Sequence, residues 1–542
     1  MRQAGRRLWV AGLGALVVLV WANLPYLVGY ARSTPDLAFG GFFIFEQDGF
    51  SYLAKMRQGA TDGWEYRLAY TSEAFAQQGE VIFTLYFALG KLERLLRVPA
   101  IALYHAARLG AGLLLLVLLY RFVAHPRLRD AEGPSADETA WAYGLILVSG
   151  GLGWLLTLLN PRYVSLELVA PDAYIFSMLY GPPHVPLAMA LLLAFWLVLL
   201  TGVEGELTWR RLLTLNLLAL GAVLARPAYA LVLYPLLGLW WLGGWLLPAQ
   251  APAGGLVSGK VRGEARRPDL RPLLAAVAPL PYLVYFYRAF QTNRAYRLWA
   301  AQNPFVTPGV GDLLVGFGLL LFPALLTLAR ERGRWHRPRR RLFFTWAVAG
   351  LLLAYAPVPV SRRLLAGWQV PLALLAVRTF TRWLRQRRMR PLPYLLTGLL
   401  LPSTLLVILG GTALVLQRPA ELFQSADERA MLAWLADHGS EQDVVLSAWR
   451  TGNRLPAWTP VRVYVGHPIE TLAFDEKEEA VRRFFDPTTP DRWRQSFLRR
   501  WRITYVVHGP FERALGGWSP EDAPYLEPVF GQGEYIVYRV RE

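Results

Sequence analysis

The sequence predicts an α-helical multispan membrane protein, with about eleven transmembrane helices and a small C-terminal extracytoplasmic α/β domain. Composition is the first observation behind this class. Of the 542 residues, 54% are hydrophobic and only 18% are charged, and the mean hydropathy is +0.28. The second observation is that the apolar residues form runs of about 18–25 residues, the length that crosses a bilayer as a helix. A disordered chain, which would be polar and rich in charge, is excluded.

Apolar runs suitable for crossing a membrane recur from the N-terminus to about residue 416. Arg226 and Pro227 separate the fifth run from the sixth, and no clean small-residue cleavage site follows the first, so we expect an uncleaved anchor there. The predicted spans are 8–28, 101–124, 140–159, 185–203, 212–226, 229–247, 272–290, 311–330, 342–358, 363–380 and 392–416.

The net charge of +18 follows the loops between these runs. With the N-terminus in the cytoplasm, the inner loops hold the dense basic clusters, as the positive-inside rule requires. These clusters are Arg127 with Arg129, Arg210 with Arg211, and residues 260–271, 332–341 and 382–390. The sequence therefore predicts a cell-membrane protein whose partners include membrane lipids but no nucleic acid. It also places the C-terminal domain outside the cytoplasm.

Two segments are too polar for the lipid interior, namely the loop 29–100 and the tail 418–542. We expect residues 1–417 to form the transmembrane domain, with interfacial helices in its outer loop, such as the amphipathic stretch 81–99. The tail alternates a helical pattern with strand patterns, which is typical of an α/β domain. The helical pattern covers 427–438, and the strand patterns cover 443–447, 461–465, 503–507 and 535–540. Since the chain has no cysteine, disulfides, cysteine-ligated zinc and thiol catalysis are excluded.

Two carboxylates, Glu46 and Asp48, open the first outer loop. A carboxylate at the membrane face can accept a proton from a hydroxyl, and two carboxylates can share a divalent cation such as Mg²⁺ or Mn²⁺. The alternative is a solvated turn around Gly49. The residues alone leave both interpretations open.

The second outer loop supplies Asp172, and His184 lies where the fourth span begins. The histidine could bind phosphate or move a proton, or it could be satisfied by backbone at a helix start. Arg226 lies between two apolar runs, where an arginine usually has a partner. It is predicted either to clamp a phosphate or to form a salt bridge within the bundle.

Four further arginines are candidates for binding an anionic or sugar-bearing substrate. Arg362 and Arg363 precede the tenth span and could equally be interface anchors. Arg294 and Arg297 lie in an outer loop beside aromatic residues and could equally belong to an ordinary amphipathic helix. In the tail, residues 452–456 and 466–471 read as turns that either contact a ligand or serve only to reverse the chain.

Three stretches carry a resemblance to a known family. FEQDGFSYLAKMRQG, at 45–59, resembles the acidic first-loop motif of the GT-C glycosyltransferases. The tail stretches GNRLPAWTPVRVYVGHPIETLAFDEKEEAVRRFF and ITYVVHGPFER are similar to segments of bacterial family-39-like members. The layout of spans and outer tail agrees with that resemblance. The D-x-D and D-E pairs best known in the family are not present here.

The resemblance implies an activity and roles for particular residues. A polyprenyl-phosphate-linked sugar would be the donor, and a lipid, glycan or protein would be the acceptor. Asp48 would act on the acceptor, Glu46 would be its partner carboxylate, and Asp172 would match the acidic residue of the second loop. A single carboxylate facing the sugar would give inversion at the anomeric carbon.

Other functions remain as alternatives. A transporter or flippase of lipid-linked glycans should carry polar residues in mid-span, whereas here they gather outside the spans. A non-catalytic membrane scaffold would use its tail to hold a partner, and it should be insensitive to Asp48→Asn.

Overall fold

A computed structural model describes residues 2–61, 63–125, 135–203, 207–246 and 269–541. The basic cluster of Arg127 and Arg129 and most of the cluster at 260–271 lie outside these residues. The chain divides into two compact units. The first unit comprises Met1–Ala22, Arg108–Leu283 and Phe305–Leu409, and the second comprises Asn23–Ala107, Val284–Pro304 and Gly410–Glu542.

The described residues up to position 416 are mostly helical. The helices up to residue 203 are α1 (Arg2–Ala31), α2 (Glu46–Ala60), α3 (Thr84–Leu96), α4 (Ala100–Ala124), α5 (Ala136–Val148), α6 (Gly153–Leu159), α7 (Leu166–Val169), α8 (Ile175–Tyr180) and α9 (His184–Val203). Those that follow are α10 (Trp209–Ala225), α11 (Ala230–Leu246), α12 (Leu280–Thr292), α13 (Arg294–Gln302), α14 (Val310–Arg330), α15 (Pro338–Ala354), α16 (Gln369–Leu384), α17 (Leu392–Leu400) and α18 (Pro402–Leu416).

Seven helical segments in the described part of the chain are long and apolar enough to cross a bilayer. They are Ala11–Ala31, Ala100–Ala124, Asp137–Leu159, His184–Gly202, Pro227–Leu246, Val310–Arg330 and Leu392–Leu416. The other four predicted spans coincide with α10, α12, α15 and α16, which have only 13 to 17 residues. The protein is therefore an α-helical multi-pass membrane protein. The count of eleven spans and the orientation stay predictions.

The tail combines helices with a mixed five-stranded sheet. Its helices are α19 (Ala426–His438), α20 (Trp449–Trp458), α21 (Phe474–Phe485), α22 (Asp491–Trp501) and α23 (Pro510–Arg513). The sheet strands are β3 (Val444–Leu446), β4 (Arg462–Val463), β5 (Tyr505–His508), β6 (Leu526–Gln532) and β7 (Tyr535–Val540), in the order β4-β3-β5-β7-β6. β3 pairs in parallel with β4 and β5, while β7 pairs antiparallel with β5 and β6. The predicted α/β class of the tail is confirmed.

The sheet buries both of its faces. Val444 and Leu446 belong to one apolar cluster, whereas Val445 between them belongs to another. Because successive side chains of a strand point to opposite faces, each cluster covers one side of the sheet. Residues 444–446 are therefore all apolar, although they alternate between the two faces of the sheet.

The predicted turn at 452–456 is wrong, since these residues lie inside α20. The prediction rests on Gly452 and Pro456, residue types that are common in turns. A Cβ at Gly452 would stand 2.0 Å from the carbonyl oxygen of Val465, so the glycine serves close backbone packing. Pro456 lies near the end of the helix, which ends at Trp458.

A small antiparallel sheet joins distant parts of the second unit. β1 (Leu37–Phe39) pairs with β2 (Phe423–Ser425), with Leu37 opposite Ser425 and Phe39 opposite Phe423. The first outer loop and the start of the tail are therefore parts of one compact unit.

Two glycines let α2 and α3 pack backbone against backbone. A Cβ at Gly59 would lie 2.6 Å from Cα of Phe87, and one at Gly90 would lie 2.0 Å from the carbonyl oxygen of Met56. We expect Gly90→Ala to destabilise the protein by about 1–3 kcal/mol, because overpacking forces the two backbones apart. Thermal unfolding in detergent measures this. Gly144→Ala in α5 is the control, since nothing lies within 4 Å of a Cβ there. An equal effect of both changes would contradict the packing argument.

His508, at the end of β5, makes the tail sensitive to acid. Its ring is buried against Phe485, and burial, helped by Arg513, lowers its pKa from 6.5 to about 4. Above about pH 6.5 the histidine is neutral in both the folded and the unfolded protein. As the pH falls toward 4, the unfolded chain binds a proton that the folded protein does not, so the free energy of unfolding decreases. We expect a loss on the order of 3 kcal/mol. Unfolding should depend less on pH in this window in His508→Phe, and an unchanged dependence would contradict the assignment.

Candidate functional site

The carboxylate of Asp48 lies in the first turn of α2, in the second unit. Oδ1 of Asp48 is 3.2 Å from Nε2 of His467, and the aspartate side chain is 37% exposed while that of His467 is buried. Glu46 is the first residue of the same helix. Both predicted carboxylates therefore start a helix and do not lie in a solvated turn.

The hydrogen bonds of His467 fix its tautomer. Its Nδ1 accepts from the backbone N–H groups of Ile469 and Glu470, each at 3.2 Å. A nitrogen that accepts two N–H donors carries no proton of its own, so the ring proton lies on Nε2 and is donated to Asp48. Since both ring nitrogens are occupied, His467 is a positioning residue. It holds one oxygen of Asp48 and leaves the carboxylate open to solvent on its other side.

A buried ion pair anchors the loop that carries His467. The Nζ of Lys55 donates to Oε1 of Glu470 at 2.6 Å, and both side chains are at most 6% exposed. Ser51 and Tyr66 also donate their hydroxyl groups to the Glu470 carboxylate. Because Ser51 and Lys55 lie one and two turns after Asp48 on α2, the same helix that bears Asp48 holds the loop in place.

The pair keeps Glu470 ionised. Burial by itself raises the pKa of this carboxyl, but the charge of Lys55 and the hydrogen bonds from Lys55 and Ser51 outweigh it and hold the pKa at about 2. The Glu46 carboxyl shows the opposite balance. Its burial raises its pKa, against the smaller lowering effects of hydrogen bonds and of Arg454. The pKa values of Glu46 and Glu470 are therefore shifted in opposite directions.

The backbone just before α2 is strained. Phe45 adopts φ 49° and ψ 43°, in the left-handed region, which costs a non-glycine residue about 1–2 kcal/mol. Such strain persists where the surroundings determine the backbone, and it concentrates at functional sites. The turn sets the direction in which α2 starts, and with it the position of Asp48.

In the first unit, three other predicted residues form a connected chain. One terminal nitrogen of Arg226 donates to Oδ2 of Asp172 at 2.6 Å, and the other lies 2.6 Å from Nε2 of His184. The Tyr229 hydroxyl adds a weaker bond to Oδ1 of Asp172 at 3.4 Å. All four side chains are buried or nearly so. The predicted salt bridge of Arg226 is therefore present, with Asp172 as its partner.

The remaining predicted arginines contact aromatic rings or backbone. The guanidinium groups of Arg362 and Arg363 lie 5.3 and 4.2 Å from the centre of the Phe305 ring. Arg294 lies 4.5 Å from the ring centre of Phe75, and Arg297 donates to the carbonyl of Gln291 at 3.2 Å. Their proposed roles toward substrate stay predictions.

The described residues do not supply a complete set of ligands for a metal ion. Within the described residues, no group of three or more histidine and carboxylate side chains is placed to hold a cation together. Glu46 and Asp48 stand two positions apart on a helix, a spacing at which side chains do not face each other. We therefore derive no chemical step through a metal.

The sequence pattern at 466–471 predicts mainly a turn, and no pattern in the sequence indicates a role for Lys55 or Ser51. The stretch does turn, but its histidine and glutamate are buried and bonded to α2. The available signal was the occurrence of His467 and Glu470 three positions apart, directly after an apolar strand pattern.

Solved structures of two proteins are similar to this chain. The oligosaccharyltransferase of Archaeoglobus fulgidus, crystallised with a tethered acceptor peptide, aligns with 92% of this chain and 69% of its own, at 11% identity and a TM-score of 0.48. The same archaeal protein, named AglB, in complex with an inhibitory peptide and a dolichol-phosphate, gives the same coverage and TM-score at 10% identity.

The second protein is ArnT from Cupriavidus metallidurans bound to undecaprenyl phosphate. It aligns with 98% of this chain and 97% of its own, at 13% identity and a TM-score of 0.49. Neither protein-family models nor curated protein sequences give a match. Each of these structures aligns with at least 92% of this chain.

Proposed function

We propose that the protein is a membrane glycosyltransferase that moves a sugar from a polyprenyl-phosphate donor to an acceptor on the extracytoplasmic face. The observation that carries the proposal is the state of Asp48. One oxygen is held by the Nε2–H of buried His467, and the carboxylate is still one-third exposed. This is the arrangement of a general base whose orientation is fixed before substrate binds.

The reaction we assign to this carboxylate is a single displacement. An acceptor hydroxyl gives its proton to Asp48 while its oxygen attacks the anomeric carbon of the sugar. The bond between that carbon and the phosphate oxygen breaks, and its electron pair leaves with the polyprenyl phosphate. Attack opposite to the leaving group inverts the anomeric configuration. His467 holds the base in position, and Glu470 with Lys55 holds His467.

In the first unit, Arg226 is our proposed contact for an anionic group such as a lipid phosphate. Asp172 and His184 hold two of its nitrogens at 2.6 Å, which orients the planar guanidinium. We propose a positioning role for Asp172, in place of the catalytic role that the resemblance implies. Buried charged side chains that contact one another also occur in transporters. The experiment must therefore distinguish transfer of the sugar from transport of the lipid-linked donor.

Donor turnover tests the proposal. Purified protein in detergent is given a panel of polyprenyl-phosphate sugars with lipid, glycan and peptide acceptors, and release of polyprenyl phosphate is followed by mass spectrometry. We expect release to require an acceptor. Parallel assays with EDTA, and with Mg²⁺ or Mn²⁺ restored, decide whether a cation takes part. Movement of a donor across proteoliposome membranes without release would favour a flippase. Neither binding nor release across the panel would overturn the proposal in favour of a scaffold.

A further inference from the structure

A polar cavity lies at the C-terminal end of α2, in the second unit. Its volume is about 240 Å³, and its lining includes Arg57, Gln58, Trp64, Arg67 and Arg462. Arg57 lies nine positions after Asp48, which is roughly 13 Å along a helix. The cavity is therefore separate from the contacts of Asp48 with His467, although α2 contributes residues to both.

The described residues that line the cavity carry a net positive charge. Its described lining has three arginines against two carboxylates, Glu65 and Glu441. Lys91 adds a further cation, with its Nζ 5.8 Å from the centre of the Trp64 ring. An anion is the ligand that such a lining attracts.

The three arginines are engaged to different extents. Arg462 is structural, since its guanidinium donates to the backbone carbonyls of Glu441, Ser72 and Gln442. Arg67 pairs loosely with Glu441 at 3.5 Å, and both side chains are about half exposed.

Arg57 differs from both. Its Nε donates to the carbonyl of Pro456 at 3.0 Å, and no hydrogen bond from the described residues occupies its two terminal nitrogens. A planar guanidinium with two such nitrogens binds a carboxylate or phosphate through paired hydrogen bonds.

Trp64 supplies an apolar wall beside these charges. Its side chain is 45% exposed although it lies next to the cavity. A large aromatic ring left open to solvent beside polar groups offers a flat apolar surface for the C–H face of a ring-shaped ligand. The polar backbone around it is fixed, because the Gln58 amide exchanges two hydrogen bonds with the backbone of Arg67, at 2.9 and 3.0 Å.

We propose that this cavity binds a single pyranose that carries an anionic group, with the sugar ring on Trp64 and its carboxylate or phosphate on Arg57. The volume supports one sugar ring, since cavities for drug-sized ligands measure about 300–1,000 Å³. The proposal does not depend on the transferase activity. Binding here can be measured directly, and it can succeed or fail whatever the outcome of the donor assay.

Calorimetric titration of the full-length protein in detergent, at fixed salt, tests the proposal. The probes are methyl α-glucuronide, glucose 6-phosphate, neutral methyl α-glucoside and inorganic phosphate. We expect at least one anionic sugar to bind, and both the neutral sugar and inorganic phosphate to bind at least about tenfold more weakly. A neutral sugar that binds as tightly as the anionic ones would overturn the role of charge. Inorganic phosphate that binds as tightly as glucose 6-phosphate would overturn the role of the sugar ring.

Two variants assign the binding to the cavity. Trp64→Ala, at an exposed position, should weaken binding of the anionic sugar about tenfold. Arg57→Gln should remove the preference for the anionic sugar over the neutral one. Trp209→Ala is the matched control, because that tryptophan is 70% exposed and lies in the first unit. Absence of binding by the folded wild-type protein, or an unchanged affinity in Trp64→Ala, would overturn the proposal even if Arg57→Gln does not fold.

Discussion

Asp48→Asn should lower the rate of sugar transfer by about 10²–10⁴-fold, the usual contribution of a general base. The amide keeps the shape of the side chain and can still accept the hydrogen bond from His467 at Nε2, but it cannot take a proton. The effect should therefore appear in kcat, with donor affinity and thermal stability nearly unchanged. Single-turnover release of polyprenyl phosphate separates these quantities.

Two comparison variants make the Asp48 result specific. Glu46→Gln should cost less activity, because the proposed step transfers the acceptor proton to Asp48 and gives Glu46 no proton to carry. Glu527→Gln changes an exposed carboxylate of the sheet and should have no effect. Full activity in Asp48→Asn would remove Asp48 as the base, and an equal loss in all three variants would show that the change acts through folding.

Glu470→Gln should cost about 3–5 kcal/mol of stability, the largest structural effect that we expect from one substitution. It leaves the ammonium of Lys55, which is fully buried, without its counter-charge, and breaking a buried pair by removing one partner has this cost. The loop that holds His467 loses its anchor at the same time. Unfolding in detergent and transfer activity should therefore both fall.

The double variant Lys55→Met with Glu470→Leu is the matched test, because removing both charges should recover much of the stability. Activity should not return, since the loop at His467 has lost its buried anchor on α2 and no longer holds Asp48 firmly. Glu478→Gln breaks an exposed pair with Arg482 and should cost at most about 1 kcal/mol. A Glu470→Gln protein as stable as the Glu478→Gln protein would contradict the importance of the buried pair.

The sequence predicts elements well where the pattern is local. Apolar runs reveal the long helices because hydropathy and length decide whether a helix can cross a membrane. The strand pattern at 535–540 coincides with β7, and the helical pattern at 427–438 differs from α19 by one residue. In both, burial imposes a period that can be read over a few residues.

Elements shaped by distant contacts could not be read in this way. Gly452 of α20 packs closely against the backbone of Val465, a contact that no local pattern shows. The candidate site also depends on a distant contact, since Asp48 and His467 are 419 positions apart. Asp48 could be predicted from its motif, but Lys55, His467 and Glu470 become partners only in three dimensions.

The pairing of β1 with β2 also has a consequence for biosynthesis. The pairing of Leu37 with Ser425 cannot form until Ser425 has been synthesised. The contact of Asp48 with His467 likewise requires that His467 has been synthesised. At translation rates of about 5–20 residues per second, the wait is roughly 20–80 s. During that interval the nascent chain carries α2 without its buried counter-ion, so Lys55 is hydrated or held by other groups. The second unit therefore matures late, and ribosomes that stall before codon 467 release chains in which Asp48 has no orienting histidine.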